Sequence, residues 1–209
     1  PMFNDAALGI APAITDLFEY ANRLNISWRR VDLSDSGYRR LSNNFFEVIV
    51  DVGNITATYQ PGHSHADALN YELRIDGRPI IVDTGISTYD KNSRRQYERS
   101  TIAHNCVSID NGNSDEVWGG FRVGSRCKTS ILRSETNLIE AYHDGFEKKC
   151  YRTFLLKDNS FCVEDQYEGD ACSYVHLAHG VNPELLCIEG ANRIEIYDTK
   201  YSVEYNRFL

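Results

Sequence analysis

The sequence predicts a mainly β protein: a large antiparallel two-sheet β-sandwich with a short N-terminal helical segment. Three observations support this fold class. After about residue 43, apolar residues recur with a period of two, which is typical of half-buried strands. The candidate strands are short and are separated by turn-forming residues, as they are in β-sandwiches. The chain also has 13 Tyr and 9 Phe against a single Met, and aromatic side chains suit the pleated surface of a sheet.

The one predicted helix covers residues 12–24. Its apolar residues recur at helical spacing: Ile14, Leu17, Phe18, Ala21 and Leu24. Pro12 suits the first turn, where a backbone N–H is not needed, and Asp16 complements the positive end of the helix. Because the apolar face is wide, we expect this helix to belong to a helical domain that lies mostly outside the sequence.

The clearest predicted hairpin covers residues 69–82. Four apolar residues alternate with polar ones, which indicates a strand with one wet face: Leu69, Tyr71, Leu73 and Ile75. Asp76-Gly77 is a strong turn signal, and residues 80–82 would return as the partner strand. The other predicted strands are 45–50, 55–59, 105–110, 121–132, 137–143, 149–157, 161–167, 173–179, 184–189 and 193–198.

Composition argues against several classes of function. The net charge of −8 disfavours nonspecific nucleic-acid binding, because that needs a cationic surface. No apolar run approaches the length of a membrane span. The six cysteines form no Cys-x-x-Cys pair, so a thiolate zinc site is not expected. We therefore expect neither a nucleic-acid partner nor a membrane span.

A dense run of histidine and aspartate at residues 62–67 is the strongest chemical signal in the chain. In an extended strand, His63 and His65 would share a face. Two imidazoles and one carboxylate are a typical three-ligand zinc set, and Asp83 and His104 follow downstream, each beside an apolar run. The alternative is that these are ordinary polar loop residues.

Strand register tests whether Asp83 can join the histidines. A plain two-residue turn at Asp76-Gly77 sets Asp83 opposite Asn70, on the face away from His65. A one-residue bulge sets it opposite Tyr71, on the same side as His65. The metal hypothesis therefore predicts a bulge, either in this hairpin or between His65 and Leu69.

Three motifs occur in order: Pro61-Gly62-His63-Ser64-His65-Ala66-Asp67, Ile81-Val82-Asp83-Thr84-Gly85, and Arg99-Ser100-Thr101-Ile102-Ala103-His104-Asn105. Together they resemble the C-terminal β domain of heparinase II/III-type polysaccharide lyases, whose relatives include alginate and oligoalginate lyases. A weaker similarity continues through residues 118–122. The opening residues and the helix resemble the end of the family's α/α toroid. The resemblance implies two parts: residues 1–30, the end of the helical toroid domain and a linker, and residues 31–209, the antiparallel β-sandwich domain.

The resemblance also implies an activity, which is cleavage of acidic polysaccharides by β-elimination in a cleft shared by toroid and sandwich. His65, Asp83 and His104 match the family's zinc-type metal site, which is regarded as structural. His63 matches a histidine that lines the catalytic cleft. Because the family's main catalytic tyrosine lies in the toroid, we expect these 209 residues to be inactive alone.

Elimination needs a base, an acid for the leaving oxygen, and a group that neutralises the uronate carboxylate. The predicted catalytic residues are His63, Tyr97 and Tyr89. The predicted substrate-binding residues are Arg99, Arg95 and Asn105, and Arg94 belongs to the same basic cluster. The alternatives are that the tyrosines are packing residues and that Arg99 forms a structural ion pair.

The leading functional hypothesis is therefore the C-terminal domain of a lyase acting on a heparin- or heparan-like, alginate or capsular polysaccharide, with a structural zinc or other divalent metal. Two alternatives stay open, a noncatalytic carbohydrate-binding or assembly module and a metal-dependent glycan hydrolase. The expected partners are an acidic polysaccharide and the absent toroid, and a homodimer is a further option. We expect a bacterial periplasmic or secreted location, with the cytoplasm as the alternative.

Overall fold

A computed structural model of the chain describes residues 1–7, 11–29, 34–55, 58–198, 202–204 and 207–208. Its helices are α1 (Ile14–Arg23) and α2 (Ser93–Glu98), and short 3-10 turns cover Ser34–Ser36, Thr101–Ala103 and Pro183–Leu185. Its strands are β1 (Tyr38–Ser42), β2 (Phe46–Asp51), β3 (Tyr71–Ile75), β4 (Arg78–Ile81), β5 (Val107–Ile109), β6 (Val117–Trp118), β7 (Arg122–Val123), β8 (Thr129–Ser134), β9 (Leu138–His143), β10 (Cys150–Leu156), β11 (Phe161–Gln166), β12 (Ala171–Ser173), β13 (Ser202–Glu204) and β14 (Arg207–Phe208).

Two four-stranded antiparallel sheets form the body of the protein. The first has the order β1-β2-β3-β4, and the second has the order β11-β10-β9-β8. Small two-stranded pairs join β5 to β12, β6 to β7 and β13 to β14. The predicted mainly β, antiparallel fold is confirmed.

The core lies between the two sheets. Both sheets contribute buried apolar side chains to one cluster, which includes Leu41, Val48, Val50, Tyr71, Leu73 and Ile81 from the first and Ile139, Ala141, Phe154 and Leu156 from the second. In β9, side chains alternate between partly and fully buried, as expected when one strand face points into a sandwich. Tyr71 packs edge-on against Phe154, with ring centroids 5.6 Å apart, so aromatic contacts join the sheets.

Helix α1 begins two residues later than predicted and has no buried residue. The side chain of Asp16 accepts a hydrogen bond from the N–H of Ala13 at 3.2 Å, which satisfies one free donor at the helix start. Its apolar face is exposed, with Ile14 at 72% and Leu17 at 53% of their maximum accessibility. No helix in the described residues is both long and apolar enough to cross a membrane.

The hairpin at Asp76-Gly77 is a two-residue turn followed by a bulge. Both turn residues have positive φ, 49° and 75°, as a tight primed turn requires. Ile75 pairs with Arg78, but Leu73 pairs with Ile81, so the register shifts by one residue within β4. The predicted bulge is therefore present, in the strand rather than in the turn, and the β3–β4 pairing ends at Leu73 opposite Ile81, two residues before Asp83.

Some predicted strands differ from the structure. Residues 184–189 begin in a 3-10 turn, and residues 193–198 contain no strand. Within residues 173–179, only the last residue of β12 and an isolated β-bridge at Leu177 are in strand conformation. The predicted strand 55–59 falls partly outside the described residues. The prediction that one face of β3 is exposed to solvent is also wrong at Glu72. This residue is buried and accepts a hydrogen bond from the N–H of Met2.

Candidate functional site

The loop of residues 62–67 is held by α2 and the turn that follows it. It is not a strand, contrary to the expectation that His63 and His65 lie in one. Three buried side chains donate to alternate carbonyls of the loop: Arg95 to Gly62 (3.1 Å), Arg99 to Ser64 (2.9 Å) and Thr101 to Ala66 (2.7 Å). Because buried carbonyls require partners, these bonds fix the backbone on both sides of each histidine.

A carboxylate from the N-terminal segment joins both histidines of the loop. Asp5 accepts from Nδ1 of His63 at 2.6 Å and from Nε2 of His65 at 2.8 Å. Arg95 holds the same carboxylate with both terminal nitrogens, one of them at 3.0 Å. Burial alone would raise the pKa of Asp5, but hydrogen bonds from His65 and Arg95 outweigh it and lower that pKa to about 2.

The predicted metal residues lie together in the interior. His65, Asp83 and His104 are each completely buried, and the two imidazole rings are 5.2 Å apart between centroids. Nδ1 of His104 contacts a carboxylate oxygen of Asp83 at 2.7 Å. Burial lowers the pKa of His104 and raises that of Asp83, but their mutual attraction outweighs both effects and reverses the two directions.

A metal ion can be tested against this donor set. Nδ1 of His65 and Nε2 of His104 are buried and have no hydrogen-bond partner, as nitrogens reserved for a metal would. Asp83 differs, because its oxygens are engaged by His104, by the side chain of Asn70 and by the N–H of Gly85. Within the described residues, no three His, Cys, Asp or Glu side chains are arranged to hold an ion. The two imidazole nitrogens without hydrogen-bond partners are therefore the observation that supports a metal ion at this site.

A second buried carboxylate lies close to the same interior. Asp67 is 7% exposed, and one of its oxygens is buried without a partner. Burial raises its pKa well above the usual range, opposed by the attraction of His104. Asp51 behaves similarly, since burial raises its pKa to about 6. This interior is therefore rich in carboxyl groups whose charge is costly to bury.

In contrast, His63 lies at the surface, with 62% of its side chain exposed. Its ring is 5.8 Å from that of Tyr89, which in turn lies 5.7 Å from the ring of Phe121. We call the His63 rim the surface formed by His63, Tyr89 and Phe121 together with three exposed residues near them in the chain, Lys91, Trp118 and Arg122. A side chain at Gly120 would come within 3.0 Å of Lys91, and Arg122 stacks over Trp118 at 4.8 Å. The rim thus combines an imidazole, a phenol and two cations.

The residues predicted to bind substrate lie inside the domain instead of on this rim. Arg95 and Arg99 are fully buried and donate to loop carbonyls and to Asp5. Asn105 is also fully buried; its side chain donates to the carbonyls of Tyr71 and Val82. All three therefore shape the site from within, because the buried backbone carbonyls of the loop and of the β3–β4 region need donors.

Tyr97, the other predicted catalytic phenol, is half-buried on α2. Its ring lies under the guanidinium of Arg94 at 5.5 Å. Burial raises the pKa values of Tyr174 and Tyr197, and the nearby Tyr97 adds to that rise. Among the described contacts, none joins Tyr97 to His63. Tyr89 is thus the predicted phenol that the fold brings to His63.

A cavity of about 390 Å³ is lined by residues 113–117, 125–127 and 144–145, none of which belongs to the rim. Its lining includes three acidic residues, Asp115, Glu116 and Asp144, against one basic residue, Arg126. An acidic polysaccharide would be repelled by such a wall, so the cavity does not fit the predicted substrate.

Asp5 is the site residue that the sequence prediction missed. It is 58 residues from His63 along the chain, and it follows Phe3 and Asn4 in a segment without strand or helix periodicity. Phe3 is buried against the domain, which brings Asp5 to the loop. A single aspartate beside an asparagine is too common a pattern to identify this contact.

Comparison with known proteins gives one family. A family model described as "Heparinase II/III-like, C-terminal" matches residues 25–201. A search of curated protein sequences found no match.

Several solved structures share the fold. A mutant of the heparan sulfate lyase HepC from Pedobacter heparinus matches all of this chain with a TM-score of 0.72 and 17% identity. A heparinase III, the BT4657 gene product, matches all of it with a TM-score of 0.73 and 15% identity. Another heparinase III matches 86% of it with a TM-score of 0.63 and 20% identity. The chain spans 40%, 39% and 32% of these proteins.

Proposed function

Because the chain belongs to the heparinase II/III-like family as its C-terminal domain, we propose that it is the β domain of a polysaccharide lyase that cleaves a uronic-acid-containing polysaccharide by β-elimination. The observation that carries the proposal is the pairing of an exposed imidazole, His63, with a neighbouring phenol, Tyr89. The rest of the cleft would come from a domain outside these 209 residues, since the similar enzymes are more than twice as long.

The chemistry assigns a role to each part of the rim. Elimination removes the proton beside the uronate carboxylate and expels the glycosidic oxygen, which needs a proton. In this proposal the His63 imidazole exchanges a proton with the sugar, and the Tyr89 phenol serves the opposite transfer or orients the ring. Both groups are close enough to face one sugar residue, because their ring centroids are 5.8 Å apart.

Neutralisation of the substrate carboxylate falls to the exposed cations. With Arg95 and Arg99 committed to the interior, Lys91 and Arg122 are the rim cations exposed to solvent. A guanidinium can bind a carboxylate with two hydrogen bonds, and an ammonium can bind it as a point charge. Lys91 and Arg122 therefore replace Arg95 and Arg99 in the proposal.

The test is an assay of the complete protein against a panel of uronic polysaccharides, following the ultraviolet absorbance of the unsaturated uronate product. We expect product from at least one polysaccharide, and we expect His63→Gln to lower kcat by roughly 100-fold to 10,000-fold. Lys91→Ala with Arg122→Gln should instead raise KM.

His179→Gln is the matched control, because His179 is an exposed histidine outside the rim. It should keep the wild-type rate. Absence of unsaturated product on every polysaccharide would contradict the lyase proposal, and an unchanged rate for His63→Gln would remove His63 from the reaction.

We also propose that a zinc-type divalent ion binds at His65, Asp83 and His104. The support is that Nδ1 of His65 and Nε2 of His104 are buried without hydrogen-bond partners. Because Asp83 contacts Nδ1 of the same His104 ring at 2.7 Å, it would have to exchange that contact for the ion. When bound, the ion would crosslink the loop of residues 62–67 to the segment at His104 and so hold His63 in place.

Metal analysis of the purified protein tests this site. We expect about one equivalent of divalent metal in the wild-type protein and a large loss in His65→Ala, because one ligand of three is removed. His143→Ala is a suitable control, since it also removes a buried histidine but one outside the set. A wild-type protein without metal would sink the coordination proposal.

A noncatalytic carbohydrate-binding module is the second candidate, and the exposed Trp118 with Arg122 stacked on it favours it. This reading expects polysaccharide binding without product. Trp118→Ala would then weaken binding, whereas His63→Gln would leave it unchanged.

A further inference from the structure

Asp5 sits between two histidines that face different environments. It contacts Nδ1 of His63 with one oxygen and Nε2 of His65 with the other. The two contacts therefore use opposite ring nitrogens. The carboxylate side chain is only 6% exposed, so water does not compete strongly for either contact.

Its protonation state follows from its partners. The Arg95 guanidinium binds both oxygens, and a buried cation in that position keeps the carboxylate ionised. An ionised carboxylate has no proton to donate and can only accept. A ring nitrogen that contacts it must therefore carry a hydrogen, because two lone pairs facing each other at 2.6 Å would repel.

The two neutral rings are thereby placed in opposite tautomers. His63 carries its proton on Nδ1, which leaves the lone pair on Nε2, in a side chain that is mostly exposed. His65 carries its proton on Nε2, which leaves the lone pair on Nδ1, a buried nitrogen without a hydrogen-bond partner. The His104 ring lies beside it, 5.2 Å away between centroids.

We propose that Asp5 is a positioning residue that fixes His63 and His65 in opposite tautomers, so that one lone pair faces the sugar cleft and the other faces the buried metal site. One carboxylate thus prepares both histidines of the loop, and Arg95 holds it in place. This proposal rests on the proposed lyase function for its catalytic consequence, but the tautomers themselves are independent of it.

The competing explanation is a purely structural one, in which Asp5 only fastens the N-terminal segment to Arg95. Asn4 provides the matched control. Its side chain accepts from the N–H of His65 at 3.2 Å, and its φ of 56° is well tolerated by glycine. Asn4→Gly therefore loosens the same segment without touching the Asp5 carboxylate.

The experiment is long-range proton–nitrogen NMR of the 209-residue chain with labelled histidine, under alkaline conditions and with a chelator. His63→Gln and His65→Gln assign the signals. We expect His63 with its proton on Nδ1 and His65 with its proton on Nε2. Asp5→Asn should shift both rings toward a mixture, while Asp5→Glu and Asn4→Gly should keep the wild-type pattern.

The tautomers observed in the wild-type chain test the proposal by themselves, even if Asp5→Asn fails to fold. A proton on Nε2 of His63, or on Nδ1 of His65, overturns it. In folded Asp5→Asn, an unchanged pattern overturns it too.

Activity gives the second readout. In the complete protein, Asp5→Asn should lower kcat about 10- to 100-fold with little change in KM, as loss of a partner behind a catalytic group does. If the complete protein proves not to be a lyase, only this readout fails, and the tautomer spectra still test Asp5. If the lyase is active and Asp5→Asn keeps the wild-type kcat, the positioning role is wrong.

Discussion

At the scale of single residues, burial divides the histidines of this chain by role. His63 is mostly exposed, whereas His65 and His104 are completely buried. Burial lowers the pKa of His65 to about 4, although Asp5 opposes this, so the ring is neutral under ordinary conditions and keeps a lone pair. Chemistry with a solvent-borne sugar is therefore left to His63, and the neutral ring of His65 suits a structural ion.

His143 allows a prediction about acid stability at this scale. It is 2% exposed at the end of β9, and burial together with the positive charge of Arg152 lowers its pKa to about 4. Between pH 6.5 and 4 the unfolded chain binds a proton at this residue and the folded chain does not. Stability should therefore fall as the pH falls through this window, by up to about 3 kcal/mol from this residue.

The check is urea unfolding of the wild-type chain and His143→Asn at pH 7 and pH 4.5. Nδ1 of His143 accepts from the N–H of Gly145 at 3.3 Å, a contact that the Asn carbonyl can imitate. The variant should lose less stability between the two pH values than the wild type does. His179→Asn, at an exposed position, should keep the wild-type difference; equal differences for all three chains would contradict the assignment.

At the scale of elements, the β3–β4 hairpin decides where Asp83 lies. The turn at Asp76-Gly77 is tight, and the register shift within β4 moves everything after Pro79 by one position. A one-residue shift exchanges the two faces of a strand. Asp83 lies two residues beyond β4, where its carboxylate contacts the side chain of Asn70 and Nδ1 of His104.

Gly77 gives a prediction at this scale. Its φ is +75°, and a side chain there would meet nothing within 4 Å, so backbone strain is the only cost of Gly77→Ala. We expect this variant to lose about 1 kcal/mol of unfolding free energy in urea. Asp76→Asn, where asparagine tolerates the positive φ, should change it by less than about 0.5 kcal/mol. Equal stability of Gly77→Ala and wild type would mean that the turn does not hold this conformation.

At the scale of the whole molecule, two sheets pack into a sandwich, and one buried cation ties the second sheet to the site. Arg152 on β10 binds Asp165 through Nε at 2.6 Å and through a terminal nitrogen at 2.8 Å. The same guanidinium donates to the carbonyls of Leu69 and Asn105, which adjoin β3 and His104. The exposed apolar face of α1 is a further feature of this scale.

Replacing Arg152 with a neutral residue should destabilise the protein. Arg152→Met leaves Asp165 with its charge nearly buried, so we expect a loss of about 3–5 kcal/mol in urea unfolding. Arg133→Met is the control, because Arg133 is 50% exposed and solvent screens its pairs with Glu135 and Glu140, so this variant should lose much less stability than Arg152→Met. Similar losses of unfolding free energy in both variants would show that burial does not determine how much an ion pair contributes to stability.

The sequence by itself determined the fold class, most strands of the second sheet and the order of the three motifs, because strand periodicity and turn residues are local signals. The clustering of His65 with His104 and Asp83 also followed from the motifs. Only the tertiary structure decided that His63 faces outward, that Arg95, Arg99 and Asn105 turn inward, and that Asp5 joins both histidines. Those outcomes depend on contacts between residues 23 to 90 positions apart, and on burial, which local patterns do not record.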